Sequence, residues 1–336
     1  MGWLSFKVWI LTLLTLGIYR FWGKTEVRRR LWNAVRLNNQ PLEYTGTGWE
    51  LFLGFIIVLI VIFLPLMALF FALAIYFGPD SPMVNIALIP VYVFFFYLTG
   101  VAVYRATRYR LRRTRWRGIR GTMTGNPWAY GWTYFWTTLT LPFTLGWSYP
   151  WRKVKLARLL VNDSHFGTQP FRLDASWKPL LRPFAAAWLV SAAALGILLL
   201  LPLAKEASLI GASQTKEMAP YVILGFIVLL LASAYFWLRF QASSMNYLTG
   251  QTSFGSAGFR LDVTPGGLFM LMLTNLMIVI FSLGVFAPVT LARAMRYVME
   301  RMEITGAVDL AAIAQATDSI EGMGEGLADA FDIDAF

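Results

Sequence analysis

Eight arginines between residues 105 and 120 form the densest group of chemically active side chains in the sequence. They are Arg105, Arg108, Arg110, Arg112, Arg113, Arg115, Arg117 and Arg120. Guanidinium groups bind phosphates and carboxylates, and each one near an anionic leaflet contributes on the order of 1 kcal/mol. A nucleic acid partner is disfavoured, because a basic block beside a long apolar run is typical of a cytoplasmic membrane loop. Two interpretations stay open: a determinant of topology, or a surface for anionic lipid headgroups or a cytoplasmic or membrane protein partner.

Residues that could carry catalysis are scarce. The chain has no cysteine and one histidine, His165, and no acidic residue lies inside an apolar run. These absences predict no metal site, no cofactor and no enzymatic activity, and they disfavour transport coupled to ions through carboxylates. Thr274 and Asn275 are the polar pair that looks most buried. Such a pair bonds either a neighbouring helix or broken backbone, or it contacts a substrate.

The composition predicts a polytopic membrane protein, because 57% of the 336 residues are hydrophobic and only 14% are charged. Four uncharged runs are long enough to cross a bilayer as helices, which requires about 20 residues. They are Leu51–Gly78, Met83–Tyr104, Pro183–Ala204 and Ala219–Leu238. The loops within each pair, 79–82 and 205–218, carry little net charge. We therefore expect four transmembrane helices in two pairs, with both loops outside the cytoplasm.

The apolar segment from Trp128 to Trp151 has basic residues at both flanks. If it crossed the membrane, one basic flank would face the outside, against the positive-inside rule. A re-entrant hairpin removes this conflict, provided that protein satisfies the backbone groups of its turn. Pro142 and Gly146 supply breaks in the right place. A re-entrant segment is therefore favoured over a spanning one.

A short sequence box occurs three times, and each copy combines a hydroxyl residue, leucine and glycine. The box residues are Thr15, Gly17 and Trp22, then Thr144, Gly146 and Trp151, then Ser282 and Gly284. Each box precedes a basic helical stretch, and turn-rich segments with alternating apolar residues follow, which predicts small cytoplasmic β-hairpins. The predicted units are 1–127, 128–265, a partial third repeat at 266–309 and an acidic tail at 310–336.

The predicted fold is thus an all-α polytopic membrane protein with four long transmembrane helices in two pairs. Three re-entrant or short broken segments and small cytoplasmic hairpins complete a tandem repeat. Residues 1–302 carry 29 basic and 10 acidic residues. This imbalance predicts that the basic connectors and the C-terminus are cytoplasmic. The acidic tail is interpreted either as a solvated segment or as one that docks on the basic surface or on a partner.

Several motifs together resemble the YjgN family of bacterial inner-membrane proteins, whose function is unknown. The likeness covers roughly residues 10 to 305. It is carried by Thr15–Trp22, Tyr44–Gly48, Thr114–Arg120, Pro150–Trp151, Asn162 and Phe166–Gly167. The resemblance implies a multi-pass protein of the bacterial inner membrane and supplies no catalytic residues. Two departures are Phe21–Trp22 in place of Pro–Trp, and Pro288–Val289, where the third box lacks its tryptophan.

Two functional hypotheses follow. The first is a permease-like or lipid-handling membrane protein without carboxylate-based ion coupling, since broken membrane segments often line a cavity. The second is a membrane scaffold that anchors or regulates a partner protein through the cytoplasmic hairpins and the acidic tail.

Overall fold

The computed structural model of the protein describes residues 1–37, 39–206, 212–306 and 313. Within these residues the chain is mostly helical. Its helices are α1 (Gly2–Leu14), α2 (Arg20–Ala34), α3 (Gly48–Val58), α4 (Leu64–Phe77), α5 (Pro82–Arg113), α6 (Pro127–Phe143), α7 (Tyr149–Asn162), α8 (Leu181–Glu206), α9 (Ala212–Gly250), α10 (Pro265–Phe281) and α11 (Ala287–Met299). Its strands are β1 (Arg36–Leu37), β2 (Gln40–Pro41), β3 (Glu43–Tyr44), β4 (Thr114–Trp116), β5 (Ile119–Met123), β6 (Ser164–Phe166), β7 (Gln169–Leu173), β8 (Thr252–Phe254), β9 (Ala257–Leu261) and β10 (Met302–Thr305).

The prediction of an all-α fold with separate hairpins is corrected by the β-structure. Strands β3 to β10 form a single eight-stranded sheet in chain order, and each strand is antiparallel to its neighbours. Only β1 and β2 pair apart from it among the described strands. An isolated two-stranded hairpin is marginally stable and leaves two edges unpaired. Joining the pairs edge to edge satisfies those backbone groups.

Tight turns set the register of three strand pairs in this sheet. Arg117 and Gly118 connect β4 to β5, and both have positive φ, 53° and 77°, as a type I′ turn requires. Gly167 begins the turn between β6 and β7, and Gly255 begins the turn between β8 and β9, with φ of 57° and 58°. The glycines that punctuate the sequence therefore lie where the chain reverses.

Four helical stretches are long and apolar enough to cross a membrane: Gly48–Phe77, Pro82–Arg113, Lys178–Ile197 and Pro220–Gly250. Four such spans match the number expected from the sequence. One helix is longer than its apolar run, because α5 continues without a break from Pro82 to Arg113. The basic residues before β4 therefore extend this helix.

The described helices form five hairpins that alternate between short and long. The short hairpins are α1–α2, α6–α7 and α10–α11; the long ones are α3–α4 with α5, and α8–α9. Each hairpin from α3 onward leaves from one strand of the sheet and returns to the next. In particular, α6 follows β5, α7 precedes β6, and β5 pairs with β6. Both ends of the segment around Gly146 therefore lie at the sheet.

Five clusters of buried side chains among the described residues join these hairpins into a closed circuit. Four of them join α2 with α3 and α5, α5 with α6 and α7, α7 with α8 and α9, and α9 with α10 and α11. The fifth closes the circuit, since Leu4 of α1 and Leu31 of α2 pack with Leu291 and Met295 of α11. The second helix of each hairpin contributes to two clusters. These second helices therefore form the inner framework.

Candidate functional site

The three boxes adopt one backbone conformation. At each box the leucine and the following glycine both have positive φ. The values are 51° and 93° at Leu16 and Gly17, 49° and 85° at Leu145 and Gly146, and 49° and 84° at Leu283 and Gly284. A positive φ costs a leucine roughly 1–2 kcal/mol, whereas glycine adopts it freely. The repeated Leu-Gly pair is thus the local requirement of a tight helical turn.

Hydrogen bonds explain the hydroxyl and the glycine of the box. Each glycine N–H donates to the carbonyl five residues before it, which is the bond that ends a helix in a Schellman motif. These pairs are Gly17 to Thr12 (2.7 Å), Gly146 to Leu141 (2.7 Å) and Gly284 to Val279 (2.8 Å). Each box hydroxyl then accepts the backbone N–H four residues later. These pairs are Tyr19 to Thr15 (2.9 Å), Ser148 to Thr144 (3.2 Å) and Phe286 to Ser282 (3.1 Å).

The leucine of each turn is directed away from the protein. Leu16 is 96% exposed, Leu145 is 73% exposed and Leu283 is 86% exposed. The residues that end the preceding helices are exposed and apolar too, as at Phe143 and Phe281. Exposing so much apolar surface to water at a strained turn would be unfavourable in free energy. The tips of the short hairpins are therefore suited to a hydrocarbon environment.

A tryptophan on a long hairpin supports the tip of α6–α7. The indole N–H of Trp188, on α8, donates to the carbonyl oxygen of Leu145 at 2.7 Å. This bond satisfies a turn carbonyl that lipid could not satisfy. Trp188 lies about 15 Å along its helix from Lys178, at a rise of about 1.5 Å per residue. That distance is half of the roughly 30 Å thickness of a hydrocarbon core.

The box tryptophans do not join the turns. Trp22 lies on α2, where it packs against Trp49 and Phe52 of the neighbouring hairpin. Trp151 lies on α7, and the ammonium group of Lys155 sits 4.8 Å from its ring centroid. Both indoles thus belong to the basic helix that returns to the sheet.

Thr274 and Asn275 hold the two helices of one short hairpin together. Arg293 of α11 donates to the hydroxyl of Thr274 at 2.8 Å, and Asn275 donates to the carbonyl of Thr290 at 3.4 Å. The other short hairpins have similar polar clasps. These are Lys7 with Glu26 (3.1 Å) and Arg152 with Thr138 (2.9 Å). The structure therefore gives Thr274 and Asn275 intramolecular partners.

The arginine block divides between a helix and the sheet. Arg105, Arg108, Arg110, Arg112 and Arg113 lie on the last turns of α5, whereas Arg115, Arg117 and Arg120 lie on the β4–β5 hairpin.

Several of these arginines have structural partners. Arg113 forms a 2.6 Å ion pair with Glu50, which also accepts a hydrogen bond from the hydroxyl of Tyr109 at 2.5 Å. Arg117 donates to Gln40 at 2.7 Å. Arg105 lies 5.6 Å from the ring centroid of Trp128. Across the hairpin, Arg115 is opposite Arg120 on one side and Glu43 on the other.

One repeated contact was missed by the sequence reasoning. At four places a side chain before the strands donates to the backbone carbonyl seventeen residues later, just before the next helix begins. The pairs are Arg29 with Gly46, Arg108 with Gly125, Arg158 with Ala175, and Asn246 with Val263. In each case the side chain of the next residue accepts a hydrogen bond from a backbone N–H near the start of that helix. These residues are Thr47, Asn126, Ser176 and Thr264. The constant spacing is visible in the sequence and could have revealed these contacts.

Comparisons with known proteins agree with the membrane architecture. The family described as a bacterial protein of unknown function (DUF898) matches residues 4–330. The inner membrane protein YjgN of Salmonella typhimurium is 42% identical over 52 residues, which are 16% of this chain and 13% of that protein. No solved structure matches the chain. Part of the chain thus resembles YjgN, and the family match extends over nearly its whole length. This membrane protein therefore belongs to the DUF898 family, whose function is unknown.

Proposed function

We propose that this protein handles membrane lipids, and that its short hairpins thin the bilayer locally so that lipids move between leaflets. The observation that carries this proposal is the exposed leucine at the tip of each short hairpin. A tip of this kind is stable in hydrocarbon and unfavourable in water. The short hairpins therefore end inside the bilayer, as three re-entrant segments.

The lengths of the hairpins support local thinning. Helix α6 has 17 residues and is about 25 Å long, whereas the stretch Gly48–Phe77 has 30 residues and is about 45 Å long. Because both kinds of hairpin return to one sheet, the short ones leave the far leaflet unfilled next to the long ones. Lipids adjust to such a mismatch by thinning the bilayer.

Charge supports the orientation. The sheet and the returning helices carry the basic residues, and basic connectors are retained in the cytoplasm. We place the sheet and the start of the tail on that side, so that the tips enter from the inner leaflet. Without acidic residues at depth, movement of lipid would be passive rather than coupled to ions. No catalytic step is part of this proposal.

A reconstitution experiment tests it. Liposomes carry a fluorescent phospholipid in both leaflets, and a membrane-impermeant reductant bleaches only the lipid in the outer leaflet. We expect full-length protein to expose the fluorescent lipid of the inner leaflet to the reductant within minutes. In the triple variant Leu16→Ser, Leu145→Ser, Leu283→Ser, we expect the bleaching rate of that lipid to be at least about tenfold lower. The matched control is Leu231→Ser, on a long hairpin and 62% exposed.

Two outcomes would overturn the proposal. One is a bleaching rate equal to that of protein-free liposomes. The other is release of an enclosed small dye without lipid movement, which would favour a permease. The scaffold hypothesis remains a prediction, and the acidic tail on which it depends lies outside the described residues apart from Ile313.

A further inference from the structure

A lysine between two inner helices has an arrangement that the sheet and the hairpin tips do not explain. Lys153 of α7 extends its ammonium group to α9, where it donates to the amide oxygen of Gln241 at 2.9 Å and to the hydroxyl of Ser244 at 2.5 Å. Its ammonium nitrogen also lies 5.1 Å from the ring centroid of Phe240. All three contacts are with uncharged groups.

The surroundings of this ammonium are aromatic on one side and open on the other. Phe240 packs with Tyr149, Phe184 and Trp237 in one group of rings. Gln241 is exposed, and Trp237 is 37% exposed, so a molecule can reach the lysine from their side. The site thus combines a cation, an amide and an apolar aromatic wall.

The charge of Lys153 has no counterpart in the described part of the chain, where no carboxylate lies within ion-pair distance of it. A partly buried cation without a nearby carboxylate is costly, and an ionisable residue at membrane depth is a functional-site hypothesis by default. An anion near the ammonium would stabilise its charged form.

A serine–lysine pair can also act as nucleophile and base, but Ser244 is not suited to this role. It is 0% exposed, and its hydroxyl donates to the backbone carbonyl of Gln241 at 2.9 Å. A substrate cannot reach it in this arrangement. Ser244 instead fixes the position of the ammonium group, and Lys153 and Gln241 are the groups that a ligand can contact.

The depth of the site indicates the kind of anion. Lys153 lies about 13 Å along α7 from Asn162, at a rise of about 1.5 Å per residue, and therefore between the sheet and the hairpin tip. This level belongs to the leaflet on the sheet side. A ligand here meets hydrocarbon on one side and polar groups on the other, as a phospholipid does.

We propose that Lys153 and Gln241 bind the phosphate group of an anionic phospholipid from the sheet-side leaflet, with an acyl chain along Trp237. This inference rests on the proposed function for its ligand class and for the depth of α7 in the bilayer, whereas binding is measured separately from movement between leaflets. The phosphodiester oxygens would accept from the ammonium and from the amide of Gln241. The bound phosphate would stabilise the charged lysine.

The test measures lipid retention by full-length protein. Protein purified in detergent is titrated with phosphatidylglycerol or phosphatidylcholine, and bound lipid is counted by native mass spectrometry. We expect a preference for phosphatidylglycerol that falls about tenfold in Lys153→Met, since a charge-assisted hydrogen bond is lost. Lys153→Arg should retain most of it. The matched control is Lys155→Met, an exposed lysine of the same helix whose cation faces Trp151.

Equal retention of phosphatidylglycerol by wild type and Lys153→Met would overturn the inference. If Lys153→Met unfolds, Gln241→Ala replaces it, and unchanged retention in that variant would count against the site. Loss of binding with unchanged lipid movement would separate this site from the proposed function.

Discussion

The short and the long helical hairpins leave the same sheet and end differently. The long hairpin of α4 and α5 closes with a polar loop, in which Asp80 is exposed and the hydroxyl of Ser81 accepts the N–H of Met83 at 3.3 Å. The short hairpin of α6 and α7 closes with Leu145, which is strained and 73% exposed. A polar loop suits water and an apolar tip suits lipid.

From this difference we infer that the chemistry of the tip, rather than apolarity alone, separates the spanning pairs from the hairpins that we propose to be re-entrant. Both kinds of hairpin are apolar along much of their length. The short turn also satisfies its own polar groups, through the bonds of Gly146 and Thr144 and through Trp188. A turn that satisfies its backbone internally can stop inside a bilayer.

The largest expected effect comes from placing a charge at each kind of tip. Leu145→Asp should destabilise the protein in lipid nanodiscs by about 3 kcal/mol, because a carboxylate is costly at the bilayer centre. Ser81→Asp should change stability by less than about 0.5 kcal/mol, since aspartate is an equally good helix cap. Thermal unfolding in nanodiscs measures both. Equal tolerance of the two substitutions would remove the distinction between the tips.

Trp188→Phe should lower the free energy of unfolding by about 1–3 kcal/mol, because the carbonyl of Leu145 is left without a donor in an apolar environment. The control is Trp136→Phe, a tryptophan that is 47% exposed and has no indole hydrogen bond among the described residues. Unfolding in nanodiscs again gives the comparison. A loss at Trp136 as large as that at Trp188 would mean that indole volume, not the bond, matters.

Gly146→Ala should destabilise by roughly 1–2 kcal/mol, since its φ of +85° strains any residue with a side chain. Gly225→Ala, in open space on a long hairpin, should be neutral or stabilising by up to about 1 kcal/mol. Denaturation of both variants in the same detergent measures the change in the free energy of unfolding, which should differ between the two positions. The same sign at both positions would argue against a left-handed turn at Gly146.

The smallest effect is expected at the box hydroxyls. Ser282→Ala should cost about 1 kcal/mol, the usual value of a lost helix cap. Ser233→Ala on α9 is a control from a long hairpin whose hydroxyl meets Ser191 rather than a helix terminus. The midpoint temperature of thermal unfolding is compared between the two variants. An unaffected midpoint in Ser282→Ala would show that water replaces the cap, as at an exposed turn.

Local features of this fold were accessible from the sequence, and long-range ones were not. The four apolar runs and the Leu-Gly boxes depend on neighbouring residues, so their positions could be predicted. The joining of the strands into one sheet depends on where helices return, as for β3 and β4, which are separated by a long hairpin. The contact of Lys153 with Gln241 spans 88 residues. No pattern near either residue indicates it.

The central claim is that the short hairpins enter the membrane and return to the side of the sheet. The chain has no cysteine, so single cysteines at positions 81, 145 and 172 report on a long loop, a short tip and the sheet. With an impermeant thiol reagent on intact cells, we predict labelling at 81 alone, labelling at 172 only after permeabilisation, and none at 145. Labelling at 145 or 172 in intact cells would contradict the account.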